Sequence, residues 1–478
     1  MPNSAQWVIS WLAVARTGAV AVPLSTFYQT RELDWALRHN DIHTLLMVDA
    51  YMGHDYVARI QEAVADIDAR RTVDLAVESH PMLRRIVVWG EAAPQWALRP
   101  SDLDACLGTP GGFSPAMLAA TEAQIEPADD FLIICTSGST AAPKAVVHTH
   151  GSAVRATRQF TPMLDLTADD RTLAAHAFFW ISGLNVSLMP SLYIGAALCF
   201  SASAKPLEVV RAIRRLGVTR FLAHASQLPP VLACATPDDL KSLRRLHEGV
   251  ADADGVARLR AFGRHMFGMT ESFGPHSIEA ASTAIPPDKA DAIGRALPGV
   301  DRMIIDPVTE APLPPGGVGE LIIRGPTMMR GYYKKEWREV FMPDGYFRTG
   351  DLGQIDADGY FRSFGRGSEM IKTSGANVSP LEVEGVLARQ HGIQEAIVFG
   401  APDPTKGEVV IAVLVLAQDC DVDLDSLRAA LKRELSSYKV PDRFVVLQHE
   451  QIPRTGSQKP NKIKLKELLD AKYRRSPA

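Results

Sequence analysis

Short apolar runs rich in branched residues recur along the chain, separated by polar segments and helical patterns. Thr44–Val48, Arg85–Trp89, Phe131–Cys135, Ala196–Phe200, Arg220–Ala223, Gly319–Arg324 and Gln394–Phe399 have the length and content of strands. Between several of them lie amphipathic helical patterns, such as Glu32–His39 and Pro206–Leu216. This alternation predicts an α/β architecture with parallel sheets. Near the start, Trp7 to Ala15 predicts a buried helix and Gly18–Leu24 a strand. Arg16 interrupts that apolar stretch and no basic segment precedes it. It is too short to cross a bilayer and wrongly flanked for a secretory leader.

The pattern changes near residue 365. Upstream lies a polar, turn-rich segment from Asp344-Gly345-Tyr346 through Asp356-Ala357-Asp358-Gly359. Downstream, Ser379-Pro380-Leu381-Glu382 predicts a helix start: Ser379 caps, Pro380 suits the first helical position, and Glu382 reaches back. Runs at Gln394–Phe399, Glu408–Leu416, Leu424–Leu435, Arg443–Leu447 and Lys462–Leu469 follow. They form an α+β unit of about 110 residues, a common domain size. The division expected is a large region 1–364, a hinge at 365–368 and a C-terminal domain 369–478.

Composition narrows the function. The 478 residues are 46% hydrophobic and 22% charged, as in an ordinary globular chain with a sizeable core. Lys and Arg number 51 against 55 Asp and Glu, a net charge of −4, so no basic excess exists to hold a nucleic acid backbone. The five cysteines, Cys106, Cys135, Cys199, Cys234 and Cys420, are widely spaced with no CxxC. That argues against a disulfide framework or the usual structural zinc site, and fits a reducing cytoplasm. There is no repeat of fixed period, and Arg474-Arg475-Ser476-Pro477-Ala478 is not a peroxisomal address.

Five segments carry candidate chemistry. The first, Thr136-Ser137-Gly138-Ser139-Thr140-Ala141-Ala142-Pro143-Lys144, packs hydroxyls, a glycine and a lysine into a short connection. Small side chains let backbone N–H groups approach an anion, and hydroxyls and an ammonium add donors. Gly138 and Lys144 have the separation of a Walker loop, but Pro143 and Ala145 break that pattern. Ala145–Thr149 also reads as a strand rather than a helix. Taken alone, the segment is also readable as a Ser/Thr-rich surface turn. The second, Phe267-Gly268-Met269-Thr270-Glu271, sets a carboxylate beside a hydroxyl, suited to Mg²⁺ and a phosphate oxygen. Alone, Glu271 reads as a solvated residue after a turn; His265 and His276 flank it without zinc spacing.

The third, Tyr346-Phe347-Arg348-Thr349-Gly350-Asp351, offers an Asp suited to a ribose diol, or else a simple Asx turn. The fourth, Gly365-Arg366-Gly367-Ser368-Glu369-Met370-Ile371-Lys372-Thr373-Ser374-Gly375, sits on the expected boundary. Arg366 suits a phosphate or ribose, and the glycines suit a hinge. The fifth, Pro453-Arg454-Thr455-Gly456-Ser457-Gln458-Lys459, presents a lysine from a Gly/Ser loop, which alone reads as a solvated loop.

In their order and spacing, these segments resemble the adenylate-forming superfamily of acyl-CoA synthetases, peptide-synthetase adenylation domains and luciferases. Within it the chain is most similar to CoA ligases of fatty, aryl or related carboxylic acids. Pro2-Asn3-Ser4, Gly18–Leu24, Gly294-Arg295 and Gly319-Glu320 extend the likeness over nearly the whole chain. The resemblance implies an α/β fold: a large N-terminal region of β-α subdomains with a small β-barrel, and a mobile α+β C-terminal domain. It also implies ATP-dependent activation of a carboxylic acid to an acyl adenylate, then thioester formation with coenzyme A, releasing AMP and pyrophosphate. ATP and CoA are the implied cosubstrates and Mg²⁺ the implied cofactor.

By the same likeness, Thr136, Ser137, Gly138, Ser139, Thr140 and Lys144 grip the ATP phosphates. Phe267, Gly268 and Met269 line the nucleotide, Thr270 and Glu271 serve the metal and phosphate, and Asp351 and Arg366 serve the ribose. Lys459 falls on the catalytic lysine, Trp180 and Gly183 on the acyl pocket, and Lys372, Ser374 and Gly375 on the CoA-side loop. A cytoplasmic enzyme of fatty acid or lipid metabolism, without nucleic acid partners or transmembrane segments, is expected. Some positions depart from the family pattern. Ala141 and Ala145 replace glycines, Ser368 stands at the pivot, Gln458 replaces the glycine before the lysine, and Trp180 stands where many members have His. Relatives usually carry a further segment ahead of Pro2-Asn3-Ser4, so part of the first subdomain is expected to be absent. The alternatives are an adenylating enzyme that loads a carrier protein, or an inactive, truncated nucleotide-binding relative.

Overall fold

The fold is that of a computed structural model, which describes residues 1–69, 74–91, 93–105, 114–136, 143–201, 203–223, 227–243, 266–280, 283, 285–289, 292–366, 371–417, 420–453, 460 and 462–473. The chain divides into two compact units. One holds Met1–Thr26, Leu33–Cys135 and Lys144–Gly367; the other is built on Ser368–Ala478, with Phe27–Glu32 counted to it.

The large unit contains the expected parallel pairs. Thr44–Val48 lies parallel to Arg85–Trp89, with Thr44 opposite Arg85. Arg171–Ala174 lies between Ala197–Cys199 and Arg220–Leu222, parallel to both. The helix Pro206–Leu216 joins the last two strands and buries Val209, Val210, Ala212 and Ile213. Its Pro start and its end at Gly217, where φ is 57°, follow the usual asymmetry of helix termini. Antiparallel strands form the rest. Met266–Met269, Gly274–Ile278 and Arg295–Ala296 make one sheet. Asp301–Ile305, Gly319–Arg324, Phe347–Ile355 and Phe361–Arg366 make a four-stranded sheet, the barrel portion of the fold.

The N-terminal segment departs from its apolar pattern. The helix Ala5–Arg16 forms, capped by Ser4, whose hydroxyl accepts from the Trp7 N–H at 3.2 Å. It is buried on one face only, through Trp7 and Trp11, while Ile9 is 67% exposed. Gly18–Leu24 is not a strand. Ala21 makes one parallel bridge to Leu132, and Pro23, lacking an N–H, cannot extend the ladder.

In the smaller unit, Ile393–Asp403 and Gly407–Leu416 form a long antiparallel pair, with Arg443–Val446 parallel to the latter. One face packs against the helices Pro380–Leu387 and Leu424–Glu434 through Val383, Leu387, Val398, Leu414 and Leu431. The other packs against Lys462–Tyr473 through Leu465 and Leu469. Ser379 caps its helix as expected, accepting from the Glu382 N–H at 3.4 Å. The Glu382 carboxylate does not reach back. It accepts from the Lys439 ammonium at 2.9 Å, in a site where Lys439 is 3% exposed. The same ammonium donates to Glu32 at 2.7 Å, and a buried carboxylate is costly without a cation, so Glu382 pairs with Lys439 rather than with a backbone N–H at the helix start.

Candidate functional site: a bracket around Thr270 and Glu271

The strand Met266–Met269 runs into a single tight turn, Thr270–Ser272, and returns as Gly274–Ile278. Two glycines make this reversal feasible. A Cβ on Gly268 would lie 2.2 Å from the Gly274 carbonyl oxygen, and one on Gly274 would lie 1.5 Å from Asn185 Nδ2. Gly274 also has φ of 114°, a conformation that side chains rarely adopt. The turn therefore holds Thr270 and Glu271 at a fixed place.

Two other segments clamp it. On one side, His148 Nε2 donates to the Thr270 carbonyl at 2.7 Å. A carbonyl only accepts, so this bond puts the ring proton on Nε2. Complete burial pushes the His148 pKa down to about 4, and the ring stays neutral at physiological pH. On the other side, the Met329 N–H donates to the Glu271 carbonyl at 2.7 Å. The Glu271 carboxylate, in a residue 8% exposed, accepts from the Tyr332 hydroxyl at 2.8 Å. Lys144 Nζ lies 3.5 Å from that hydroxyl and 4.9 Å from the centre of the Tyr332 ring.

Tyr332 is fixed by its backbone. Gly331 and Tyr332 pair antiparallel with Val147 and Val146. The Arg330 and Tyr333 N–H groups extend the ladder to Val147 and Ala145, each at 2.8 Å.

The other predicted site residues fall as follows. Thr136 ends the strand Asp130–Thr136, and Lys144 opens the neighbouring strand Lys144–Thr149. Ser137, Gly138, Ser139, Thr140, Ser368 and Lys459 lie outside the described residues, as does His265. The Phe267 ring packs against His276 and Phe361, at 5.4 and 5.7 Å between centroids. The Met269 side chain belongs to the core, with Val146, Ile304 and Leu321. His276 is buried, and burial lowers its pKa to about 3, so it too is neutral.

Asp351 does not form an Asx turn. It lies within the strand Phe347–Ile355, 3% exposed, and its backbone is directly opposite Arg366 in the ladder. Its N–H donates to Thr349 Oγ1 at 3.0 Å, and that hydroxyl donates to the Leu321 carbonyl at 2.7 Å. In the smaller unit, Lys372, Ser374 and Gly375 are exposed positions on the hairpin of Ile371–Thr373 and Ala376–Val378, whose Ile371, Thr373, Ala376 and Val378 are buried. Its two turn residues have φ of 49° and 81°, the two-residue turn that suits the strand twist.

Trp180 precedes the short helix Ile181–Gly183, its ring edge-on to Phe179 at 5.1 Å. The next turn, Leu184–Leu188, is a π-helix, a local widening often found at functional sites. Asn3 holds the approach to Trp180. Its Oδ1 accepts from the Phe178 N–H at 2.9 Å and its Nδ2 donates to the His176 carbonyl at 2.7 Å.

The chain is also similar to known proteins. The family model of the AMP-binding enzymes matches residues 1–333, and that of the AMP-binding enzyme C-terminal domain matches residues 382–459. The chain belongs to the AMP-binding enzymes. It is 33% identical to a sulfoacetate–CoA ligase of Cupriavidus necator, over 81% of this chain and 78% of that protein. It is 29% identical to a feruloyl-CoA synthase of an Amycolatopsis species, over 96% of this chain and 85% of that protein. Among solved structures, the amide bond synthetase McbA of Marinactinospora thermotolerans superposes with a TM-score of 0.76. That pair is 25% identical, covering 98% of this chain and 88% of McbA.

The donor set of this AMP-binding enzyme suits Mg²⁺. Thr270 and Glu271 offer one hydroxyl and one carboxylate, and no group of three or more His, Cys, Asp or Glu residues able to hold a metal occurs among the described residues. Mg²⁺ is commonly held by one or two carboxylates plus substrate phosphates and water, whereas zinc takes a nitrogen and sulfur cage.

Gly183 admits no side chain. A Cβ there would lie 2.1 Å from the Ala177 carbonyl oxygen, which forces apart the turn that carries Trp180. Gly183→Ala is expected to destabilise the large unit by about 1–3 kcal/mol, as overpacking does. Thermal unfolding checks this, and a melting temperature equal to that of the parent would contradict it.

Proposed function

We propose that this AMP-binding enzyme acts on an apolar, aryl-tolerant carboxylic acid, with Mg²⁺ held at Thr270 and Glu271. The reaction has two steps. A carboxylate oxygen of the acid attacks the α-phosphorus of ATP, the bond to the β-phosphate oxygen breaks, and pyrophosphate leaves. The CoA sulfur then attacks the carbonyl carbon of the acyl adenylate, losing its proton, and AMP leaves. Neither step needs a protein nucleophile. What the first step needs is fixed positive charge and N–H donors where phosphoryl charge develops.

The observation that carries this reading is the convergence of Glu271, Tyr332 and Lys144. A buried carboxylate and the lysine that ends the hydroxyl-rich loop meet on one phenol. Bound Mg²⁺ would neutralise phosphate charge at the Glu271 carboxylate. Lys144 serves the phosphates, and Asp351, opposite Arg366, serves the ribose. Lys459 supplies a cation for adenylation, and the Lys372–Gly375 hairpin serves the CoA step. A hinge at 365–368 would let the C-terminal domain 369–478 exchange the two.

The aromatic pair Phe179 and Trp180 beside the Gly183 turn supports an apolar acid, and the feruloyl-CoA synthase supports an aryl one. Fatty acids belong to the same apolar class. A cytoplasmic location suits an enzyme supplied with ATP and CoA, and no helix among the described residues is long and apolar enough to cross a membrane.

A panel of fatty, aryl, indolyl and short polar acids, scored by AMP release with and without CoA, tests the proposal. The reading expects the highest kcat/KM with aryl or fatty acids and sustained turnover only with CoA. A preference for sulfoacetate or oxalate would overturn the substrate class, and turnover indifferent to CoA would overturn the acceptor.

A further inference from the structure

Tyr332 lies outside every segment that the sequence marks for chemistry, yet it touches both ends of the site. Its hydroxyl donates to Glu271 Oε1 at 2.8 Å, and Lys144 Nζ stands 3.5 Å from the hydroxyl oxygen of Tyr332. A phenol has one proton to give and lone pairs to receive. Giving the proton to the carboxylate leaves the lone pairs for the ammonium, and each bond polarises the other in the same sense. The ring adds a cation–π contact to Lys144 at 4.9 Å. The backbone around it is equally committed. The segment 329–333 holds the Glu271 carbonyl through Met329 and pairs with the strand that Lys144 opens. Glu271 is thus held at its backbone and its carboxylate by residues three apart.

We propose that Tyr332 is a positioning residue, which sets the metal-side carboxylate Glu271 at a fixed distance from the phosphate-side cation Lys144. This rests on the functional reading given above. Partners that orient a metal-side ligand typically change metal affinity or activity by about 10–100-fold when removed. Tyr332→Phe keeps the ring, the contact with Lys144 and the strand, and deletes only the hydroxyl.

Equilibrium dialysis of labelled ATP, with and without Mg²⁺, reads the effect without turnover. The parent chain is expected to bind ATP more tightly with Mg²⁺. In Tyr332→Phe that stimulation is expected to fall about tenfold, a larger change than any in binding measured in EDTA. In a Glu271→Gln background, the same substitution is expected to have little further effect, because the two residues act as a unit. A parent chain stimulated by Mg²⁺ with an equally stimulated Tyr332→Phe would overturn the tyrosine's role and leave the functional reading standing. Losses that simply add in the double variant would also overturn it. A parent chain that binds ATP equally with and without Mg²⁺ would overturn both. Should Tyr332→Phe lower the melting temperature, the double-variant comparison still decides, since a purely structural defect adds to Glu271→Gln.

Discussion

Lys459→Ala is expected to slow acyl-adenylate formation by about 10²–10³, the usual cost of removing one preorganised donor at a developing oxyanion. Thioester formation from supplied acyl adenylate is expected to survive. The two steps place different demands on charge. In the first, a phosphoryl group carries negative charge on its equatorial oxygens while pyrophosphate departs, and a fixed ammonium lowers that barrier. In the second, a thiol attacks a carbonyl already activated by its bond to AMP, and a lysine in its path only crowds it. Stopped reactions that follow each half separately test this. Equal loss in both halves would contradict the division of labour proposed for Lys459 and the Lys372–Gly375 hairpin.

Glu271→Gln is expected to cost adenylation about a hundredfold or more. The substitution preserves shape, and its amide oxygen still accepts from Tyr332. It removes the negative charge proposed to set Mg²⁺ beside the phosphates. Because Glu271 is 8% exposed and its carbonyl is held by Met329, the side chain has little freedom to be replaced by a neighbouring carboxylate. The Mg²⁺ concentration needed for half-maximal rate should rise with the loss. A Glu271→Gln enzyme that keeps the parent's rate and Mg²⁺ requirement would remove Glu271 from the chemistry.

The sequence is most legible where a segment decides its own structure. Thr44–Val48, Arg85–Trp89 and Gly319–Arg324 appear as strands with the bounds their branched residues suggest, and Pro206–Leu216 with those its Pro and Gly ends suggest. Gly18–Leu24 has the same apolar look but pairs at one residue, because a strand also needs a partner and free N–H groups. Glu382 was legible as a capping residue, but the carboxylate follows Lys439, 57 residues away in sequence. The site shows the same limit. Thr270, Glu271 and Asp351 stand in recognisable motifs. Tyr332 does not, because its strand has two residues and its polar partners lie 61 and 188 positions away. The available hint was the pair of aromatic residues after Gly331 in an otherwise basic run, Arg330 to Lys335. His148 gave no hint: a histidine at a buried strand position reads as packing, and its bond to Thr270 spans 122 residues. The π-helix at Leu184–Leu188 is announced by no local periodicity.

A carboxylic acid and ATP are expected to form an acyl adenylate on the bracket of Lys144, Glu271 and Tyr332. Exchange of labelled pyrophosphate into ATP measures that step in reverse and needs no CoA. The expected exchange requires both Mg²⁺ and an apolar or aryl carboxylic acid, and collapses in Glu271→Gln. Exchange independent of any added acid, or undiminished in Glu271→Gln, would contradict it.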